Sequence, residues 1–472
     1  MNFMKCMWLS SLVLSSLQVF GQQTPNQQTP AKHEFSAKQC VEYAEKNSAI
    51  VQNALLDIKL QEQQNRGITS AAYPQVDANF TGQYNPNVTV QTFPNFIAQG
   101  TYGVLEAEGV KNGNGDPIVS PKDFGFIQAQ FGTKWTASVG ATLKQVLFDG
   151  QVFVGLQARK TSIDFREQSA ELTKEQIRIN IYKIYYQLSV ANEQIRLIDA
   201  NVARTDKLLN DSRELYKNGF AESLDIDRAS VQLTNFQAQK QNALNNVANG
   251  YLGLKVLMGM PLSDTLILTD SVTAESIQQE ALTDGAYKYE DRPDYRVLSL
   301  SQKLQEYNVR RYKLARYPTA SLNAGFSKLS QSNYFDFFTD VPWFSSSYIG
   351  LSVNVPIFGG FLKDANIKYA QLELKQTTNN IQNLKLQIDQ DVDSSINSFN
   401  SAITNLNNQK KNVDLASRVY DLTKKKYESG LASTTDISNA QADLSTAQTS
   451  YVISLFNAVL AKIDYLKAIG KL

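Results

Sequence analysis

The run from Phe361 to Ser429 contains neither glycine nor proline. No strand of a globular sheet reaches that length, so a run of such residues is read as one helix. At about 1.5 Å rise per residue the helix would reach roughly 100 Å, several times the width of an ordinary domain. Directly before it stands SVNVPIFGG, Ser352 to Gly360, in which Val353, Val355 and Ile357 alternate like a strand and then meet Pro356 and a Gly-Gly pair. A related stretch, TLKQVLFDGQ from Thr142 to Gln151, opens a second long helical run, Gln151 to Asn218. The chain twice feeds a short strand into a very long helix.

The repetition extends well beyond that junction. YPQVDANF at Tyr73 is answered by YPTASLNAGF at Tyr317, LFDG at Leu147 by IFGG at Ile357, and YKNGFAESLDIDRASVQL at Tyr216 by YESGLASTTDISNAQADL at Tyr427. Three signatures in one order indicate a duplication, and repeats of this kind govern the fold. The first copy is longer between its Tyr-Pro motif and its returning strand, and the additional residues fall within Asn85 to Gly132. They are expected to form a surface loop. The copies are expected at residues 36–258 and 281–472, with a connector over 259–280 that holds Pro261 and a short apolar strand, Leu266 to Leu268.

Within each copy the order reads helix, strand, loop, strand, long helix, tight turn, helix. Ser36 to Arg66 has helical composition, and Pro74 ends it, because proline disfavours helix at the residue before it. Val76, Ala78, Phe80, Gly82 and Tyr84 then alternate with polar residues, and Trp135, Ala137, Val139, Ala141 and Leu143 do so on the return. In the second copy Ala320, Leu322, Ala324 and Phe326 alternate, followed by Ile349, Leu351, Val353 and Val355. Period two with one apolar face marks a half-buried strand. Aromatics flank each pair, Tyr73, Phe93, Phe96 and Phe131 around one, Tyr317, Tyr334, Phe335, Trp343, Phe344 and Tyr348 around the other. Alternating strands with aromatic borders are the pattern of transmembrane barrels, and a soluble sandwich with one wet face is the plainer alternative.

In the second long helix Ile396, Phe399, Ile403, Leu406, Val413, Tyr420 and Tyr427 repeat at three-four and seven spacing, a seam for neighbouring helices. Gly219 and Gly430 end the two long helices, as glycine does in left-handed caps. Shorter helices then run back, Glu222 to Asn249 and Ser433 to Ile469.

The N-terminus, MNFMKCMWLSSLVLSSLQVFGQQ, has one lysine, an apolar run from Met7 to Phe20 and a small residue at Gly21. That is the layout of a secretory signal peptide over residues 1–21, followed by a flexible, Pro- and Gln-rich tail over 22–35. Cys6 would leave with the signal, and Cys40 alone cannot form an internal disulfide. Nowhere beyond it is there an apolar run of roughly 18 residues, so no transmembrane helix is expected. An exported chain of this kind is soluble or crosses a membrane as strands.

A formal net charge of +1 over 472 residues gives no electrostatic footprint for nucleic acid. HExxH, GxSxG and P-loop motifs are absent, and the one histidine, His33, falls in the expected tail. KNGNGDP at Lys111 lacks the carboxylate spacing of a calcium loop and reads as a polar turn. No catalytic residue, metal site or cofactor is indicated.

The duplicated order, PIFGG before a long helix, EDRPDY at Glu290 and the paired Tyr-x-x-Gly turns resemble the TolC-like outer-membrane efflux protein family, from about Ser36 to the end. The resemblance implies an α-dominated fold in which three chains pool their strands into a 12-stranded transmembrane β-barrel, continued by a long α-helical periplasmic tunnel. It implies a passive outer-membrane exit channel of a tripartite efflux or export system in a Gram-negative bacterium, with a periplasmic adaptor and an inner-membrane pump, RND or ABC, as partners. A type I protein secretion conduit shares the fold, and a soluble long-helical periplasmic adaptor or scaffold is the rival of another class.

Carried onto this chain, the resemblance assigns Asp225, Asp436, Asn439 and Tyr427 to a gate at the helical turns. It assigns Tyr216, Gly219, Phe220, Gly430 and Leu431 to the tip that meets the adaptor. Gly150, Pro356, Gly359 and Gly360 become the corners between barrel and helix. Asn439 stands where a second constriction acid can occur, and Ala432 where a gate arginine can occur. For both aspartates the plainer role is a favourable negative charge near a helix start.

Overall fold

The computed structural model describes residues 31–270, 277, 287–339 and 341–472. The expected signal peptide, most of the tail and much of the connector lie outside the described residues. Two compact units emerge, one holding residues 55–169 and 294–386, the other the remaining described parts of the chain.

The first of these is built on a four-stranded antiparallel sheet. Its strands are β2 (Gln75–Tyr84), β5 (Trp135–Phe148), β7 (Thr319–Ser332) and β8 (Phe344–Asn354), in the order β2-β5-β7-β8. Both copies of the duplication contribute one hairpin. The register shows why the alternation in sequence matters: Phe80 lies opposite Val139, Ala141 opposite Phe326, and Ala324 opposite Ile349. One face is therefore apolar over the part of the sheet nearer the helices, where Val76, Leu143, Leu322 and Leu351 lie, and the other carries mainly Thr, Ser and Asn; nearer Trp135 the pattern reverses, with Lys328 and Ser345 on the first face and Leu329 and Phe344 on the second. Most of the apolar face lies uncovered, Phe80 being 72% and Ile349 82% exposed, and only its end at Trp135 and Ala137 is covered by the β7–β8 loop. The half-buried strands expected from the sequence thus have a largely uncovered apolar side. β2 and β8 each leave one edge unpaired.

The additional residues of the first copy are not a plain loop. They form β3 (Val90–Pro94), α3 (Phe96–Ala107) and β4 (Phe126–Gln130), with β3 and β4 paired as a hairpin. This hairpin prolongs the β2–β5 pair through the bond from Asn85 N–H to the Lys134 carbonyl. Asn95 caps α3 by accepting from the Ala98 N–H at 3.0 Å, a local signal that a reading of surplus length alone overlooks.

At the other end of the sheet the strands meet α4 (Gly150–Lys217) and α7 (Leu362–Glu428), of 68 and 67 residues. The expected strand through Ile357 stops at Asn354, because Pro356 has no N–H to give a ladder. α2 (Ala49–Ser70) and α6 (Pro293–Leu314) lead into β2 and β7.

In the second unit α4 and α7 continue to their turns and α5 (Ser223–Met258) and α8 (Thr434–Ala468) return. Phe399 and Leu406 of the expected seam are buried among Val452, Leu455 and Val459 of α8, with Ile403 packed beside them. Tyr420 joins Leu208, Ile437, Ala440 and Leu444 in a further cluster nearer the turns. Polar groups are buried beside this second cluster. Gln441, only 1% exposed, donates from Nε2 to the Thr205 hydroxyl at 2.6 Å and to the Asn201 carbonyl at 3.3 Å. Asn201 in turn donates to Gln448 Oε1 at 3.3 Å.

Further boundaries differ from the expectation, among them the end of α5, which runs on from Asn249 to Met258. Lys32–Phe35, placed in the flexible tail, is strand β1, paired in parallel with β6 (Thr265–Leu268). Asp264 anchors it by accepting from the Ala31 N–H at 3.2 Å and lying 3.3 Å from His33 Nε2, and the Tyr185 hydroxyl donates to the Phe35 carbonyl. Four residues are too few to display a period. The helix expected from Ser36 to Arg66 is α1 (Ala37–Asn47) and α2, broken at Ser48, whose ψ is 124°. Gly259, at φ +71°, comes so near that an added Cβ would lie 2.4 Å from the Asn47 carbonyl oxygen, so this joint tolerates no side chain there.

Candidate functional site: the two helical turns

Each long helix ends in the same hydrogen-bonded cap. Gly219 adopts φ +77° and donates to the Tyr216 carbonyl at 3.0 Å, while the Phe220 N–H reaches the Leu215 carbonyl at 2.8 Å. Gly430, at φ +72°, donates to Tyr427 at 2.9 Å, and Leu431 to Lys426 at 2.8 Å. This pair of bonds satisfies carbonyls that the last helical turn leaves open, and glycine alone enters it without a Cβ penalty. The residue after each glycine is then thrown outward: Phe220 is 81% and Leu431 79% exposed.

The following helices start with an acidic residue at the third position. Asp225 accepts from the Glu222 N–H at 3.3 Å. Asp436 accepts from the Ser433 N–H at 2.9 Å and its hydroxyl at 2.7 Å, while Ser433 Oγ receives the Asp436 N–H at 3.1 Å. That reciprocal arrangement is a capping box. The hydrogen bonds from Ser433, backbone first and hydroxyl second, hold the Asp436 carboxyl below its usual range. Both aspartates therefore carry a structural task at a helix start, the plainer of the two roles that the sequence allows.

Tyr427 is partly buried against the Tyr420 and Ile437 cluster, and its hydroxyl is enclosed without a hydrogen-bond partner. Tyr216, its counterpart, is half exposed. Asn439 lies in an open groove between α5 and α8, beside Leu224, Asp227, Arg228 and Val231. Arg228 is not singled out by the sequence, yet it ties the two helical hairpins together by donating from Nη1 to the Thr435 hydroxyl at 2.7 Å. No local motif announces it, since its partner is 207 residues away. Ser433 could have been found from the Ser-x-x-Asp spacing.

The corners belong to the sheet unit. A Cβ on Gly150 would stand 2.7 Å from Leu314 Cβ, so the start of α4 fits against the end of α6 only as glycine. Asp149 Oδ1 accepts from the Gln151 N–H at 2.8 Å. In the second copy Gly360 has φ +59° and Phe361, unusually for a bulky residue, φ +64°. Pro356 and Gly359 lie in the same segment, beside exposed Ile357 and Phe358.

Among the described residues no helix is long and apolar enough to cross a membrane, and no group of His, Cys, Asp and Glu is arranged to hold a metal ion. Residues 289–459 match the family described as outer membrane efflux protein. The outer membrane protein TolC of Vibrio cholerae is 21% identical over 340 residues, 71% of this chain and 77% of that protein. The chain is similar to the TolC-like outer-membrane efflux proteins over most of its length. The solved structure of CusC shares the fold of this TolC-like chain, with a TM-score of 0.73 at 15% identity over 92% of each chain. PrtF of Dickeya chrysanthemi, described as a proteases secretion protein, is 22% identical over 51% of this chain and 53% of its own. As a TolC-like protein the chain is an outer-membrane exit channel with a large periplasmic portion, and not an enzyme. The adaptor or scaffold reading gives way to it.

Proposed function

We propose that the protein is a homotrimer in which three four-stranded sheets close into one 12-stranded barrel, continued by a tunnel of the long helices. The observation that carries this reading is the sheet itself: four strands, one largely uncovered apolar face and two unpaired edges. Four strands cannot close, and an open edge is not tolerated in a bilayer. β8 of one chain beside β2 of the next keeps the antiparallel alternation all the way round. The apolar face then meets lipid, and the Ser-, Thr- and Asn-rich face meets the lumen.

The two repeats, 36–258 and 281–472, joined by the connector 259–280, each supply one hairpin of the barrel and one of the tunnel. Gly150, Pro356, Gly359 and Gly360 turn the chain at the periplasmic surface of the outer membrane. At the far end Tyr216, Gly219, Phe220, Gly430 and Leu431 form the surface offered to a periplasmic adaptor, which links the channel to an inner-membrane pump of the RND or ABC type. Asp225, Asp436 and Asn439 line the narrow end. Tyr427, whose enclosed hydroxyl has no partner among the described residues, holds neighbouring helix pairs together there, and Arg228 restrains the hairpins within each subunit. Likeness to PrtF supports a protein cargo as a second reading.

Detergent-extracted protein, weighed by sedimentation and then placed in a planar bilayer, tests the proposal. Three chains per particle and a small resting conductance that rises in Arg228→Ala are expected. A monodisperse monomer soluble without detergent overturns it.

A further inference from the structure

The insert between β2 and β5 and the loop between β7 and β8 leave the sheet at the same end, since Tyr84 lies opposite Trp135 and Trp135 opposite Ser332. One springs from the open-edged strand β2, the other leads into the open-edged strand β8. Both carry apolar side chains that their own chain leaves uncovered. α3 has no buried residue, although Phe96, Ile97 and Val104 lie on it. Its interior also contains Gly100 and Gly103, which weaken a helix, and at neither does the chain place an atom within 4 Å of where a Cβ would stand. Ile97, Gly100 and Val104 share a face by their spacing, so two bulky residues flank a gap.

The β7–β8 loop has the opposite relief. Phe335 leans on Trp135 with ring centres 5.0 Å apart, and Phe337 is buried beneath, next to Trp343. Anchored this way, the loop holds Tyr334 and Phe338 outward, 77% and 87% exposed. Apolar surface of this extent marks a contact.

We propose that α3 of each subunit packs against Tyr334 and Phe338 of the next, with Phe338 seated over Gly100, so that the insert clasps the outer rim of the channel. The proposal rests on the trimeric reading: closing the barrel sets β8 of one chain against β2 of another and so brings this loop beside that insert at all three seams. A second copy is the occupant because the two uncovered surfaces lie at the opposite edges that barrel closure joins.

Cross-linking tests the clasp, helped by the fact that Cys40 is buried and free. Val104→Cys with Phe338→Cys, Ile97→Cys with Tyr334→Cys, and Gly100→Cys with Phe338→Cys are oxidised in outer membranes and run without reductant. Native mass spectrometry of the same proteins counts chains independently of the link. We expect most chains of at least one pair to migrate as linked dimers and trimers, and each single variant to remain monomeric on the gel. Trimers by mass with no interchain link in any pair overturn the clasp and leave the trimeric channel standing. Monomers by mass overturn both. Links formed by Val104→Cys alone also overturn the clasp, since they set the inserts against one another.

Discussion

The two helical turns began as copies and now differ in how firmly they are built. Their backbones agree: a left-handed glycine, two closing hydrogen bonds and an outward apolar residue occur at both Gly219 and Gly430. The side chains around them do not agree. The second turn is locked by Ser433 and Asp436 in a reciprocal cap, and its tyrosine is tucked into a cluster. At the first turn Glu222 replaces the serine, the acceptor distance to Asp225 lengthens to 3.3 Å, and Tyr216 faces solvent. Duplication preserved the geometry that only glycine can adopt and let the side-chain chemistry drift, so that both turns keep a capping box but the one at Glu222 and Asp225 is the longer and looser of the two.

The largest effect should fall on what the turns share. Gly219→Val and Gly430→Val each force a β-branched residue into left-handed backbone, at a cost of about 2 kcal/mol. Hydrogen exchange of the flanking amides should rise at either site to the same degree, and tolerance at one turn alone would break the likeness. Next comes the cap. Ser433→Ala should loosen the start of α8 by about 1 kcal/mol, whereas Glu222→Ala should barely change the start of α5 in the same exchange experiment. Equal responses would remove the contrast between a tighter and a looser turn.

Acid should have a smaller effect. Because the Asp436 carboxyl is held below its ordinary value of 3.8, its ionised form supports the fold above that pH, and this support fades as the pH drops through the lowered value. An NMR titration of the carboxyl should give a midpoint under 3.8, with the start of α8 loosening only in that acidic range. A midpoint above 3.8 would mean that crowding by neighbouring carboxylates outweighs the cap. The smallest change in stability belongs to Tyr427→Phe. It removes a hydroxyl unpaired within its chain, so thermal unfolding of dissociated subunits should hardly move. Bilayer conductance of the assembled channel should nevertheless increase, and an unchanged conductance would separate this hydroxyl from the gate.

Much of the fold is legible in the sequence. Long helices free of proline, left-handed glycines and strict period two fix α4, α7 and the four strands to within a few residues, because each rests on one local backbone rule. The boundaries that slip depend on partners far along the chain. β1 exists because β6 lies beside it, Ser48 breaks a helix where Gly259 crosses, and Arg228 acquires its meaning from Thr435. The insert is visible only as surplus length, although Asn95 after Pro94 marks a helix start there. Alternation in the strands implies half burial, whereas the uncovered face calls for lipid, a solvent that periodicity by itself does not name.

The buried polar groups around Gln441 also limit how the hairpins can move. Slipping α8 along α4 by one turn, about 5.4 Å, would carry Gln441 from Thr205 to the level of Leu208 and strand its carboxamide among hydrocarbon. Rolling one helix about the other leaves the same three groups within reach. The joint is cut for turning and resists sliding in that direction, as a hinge does and a sleeve does not.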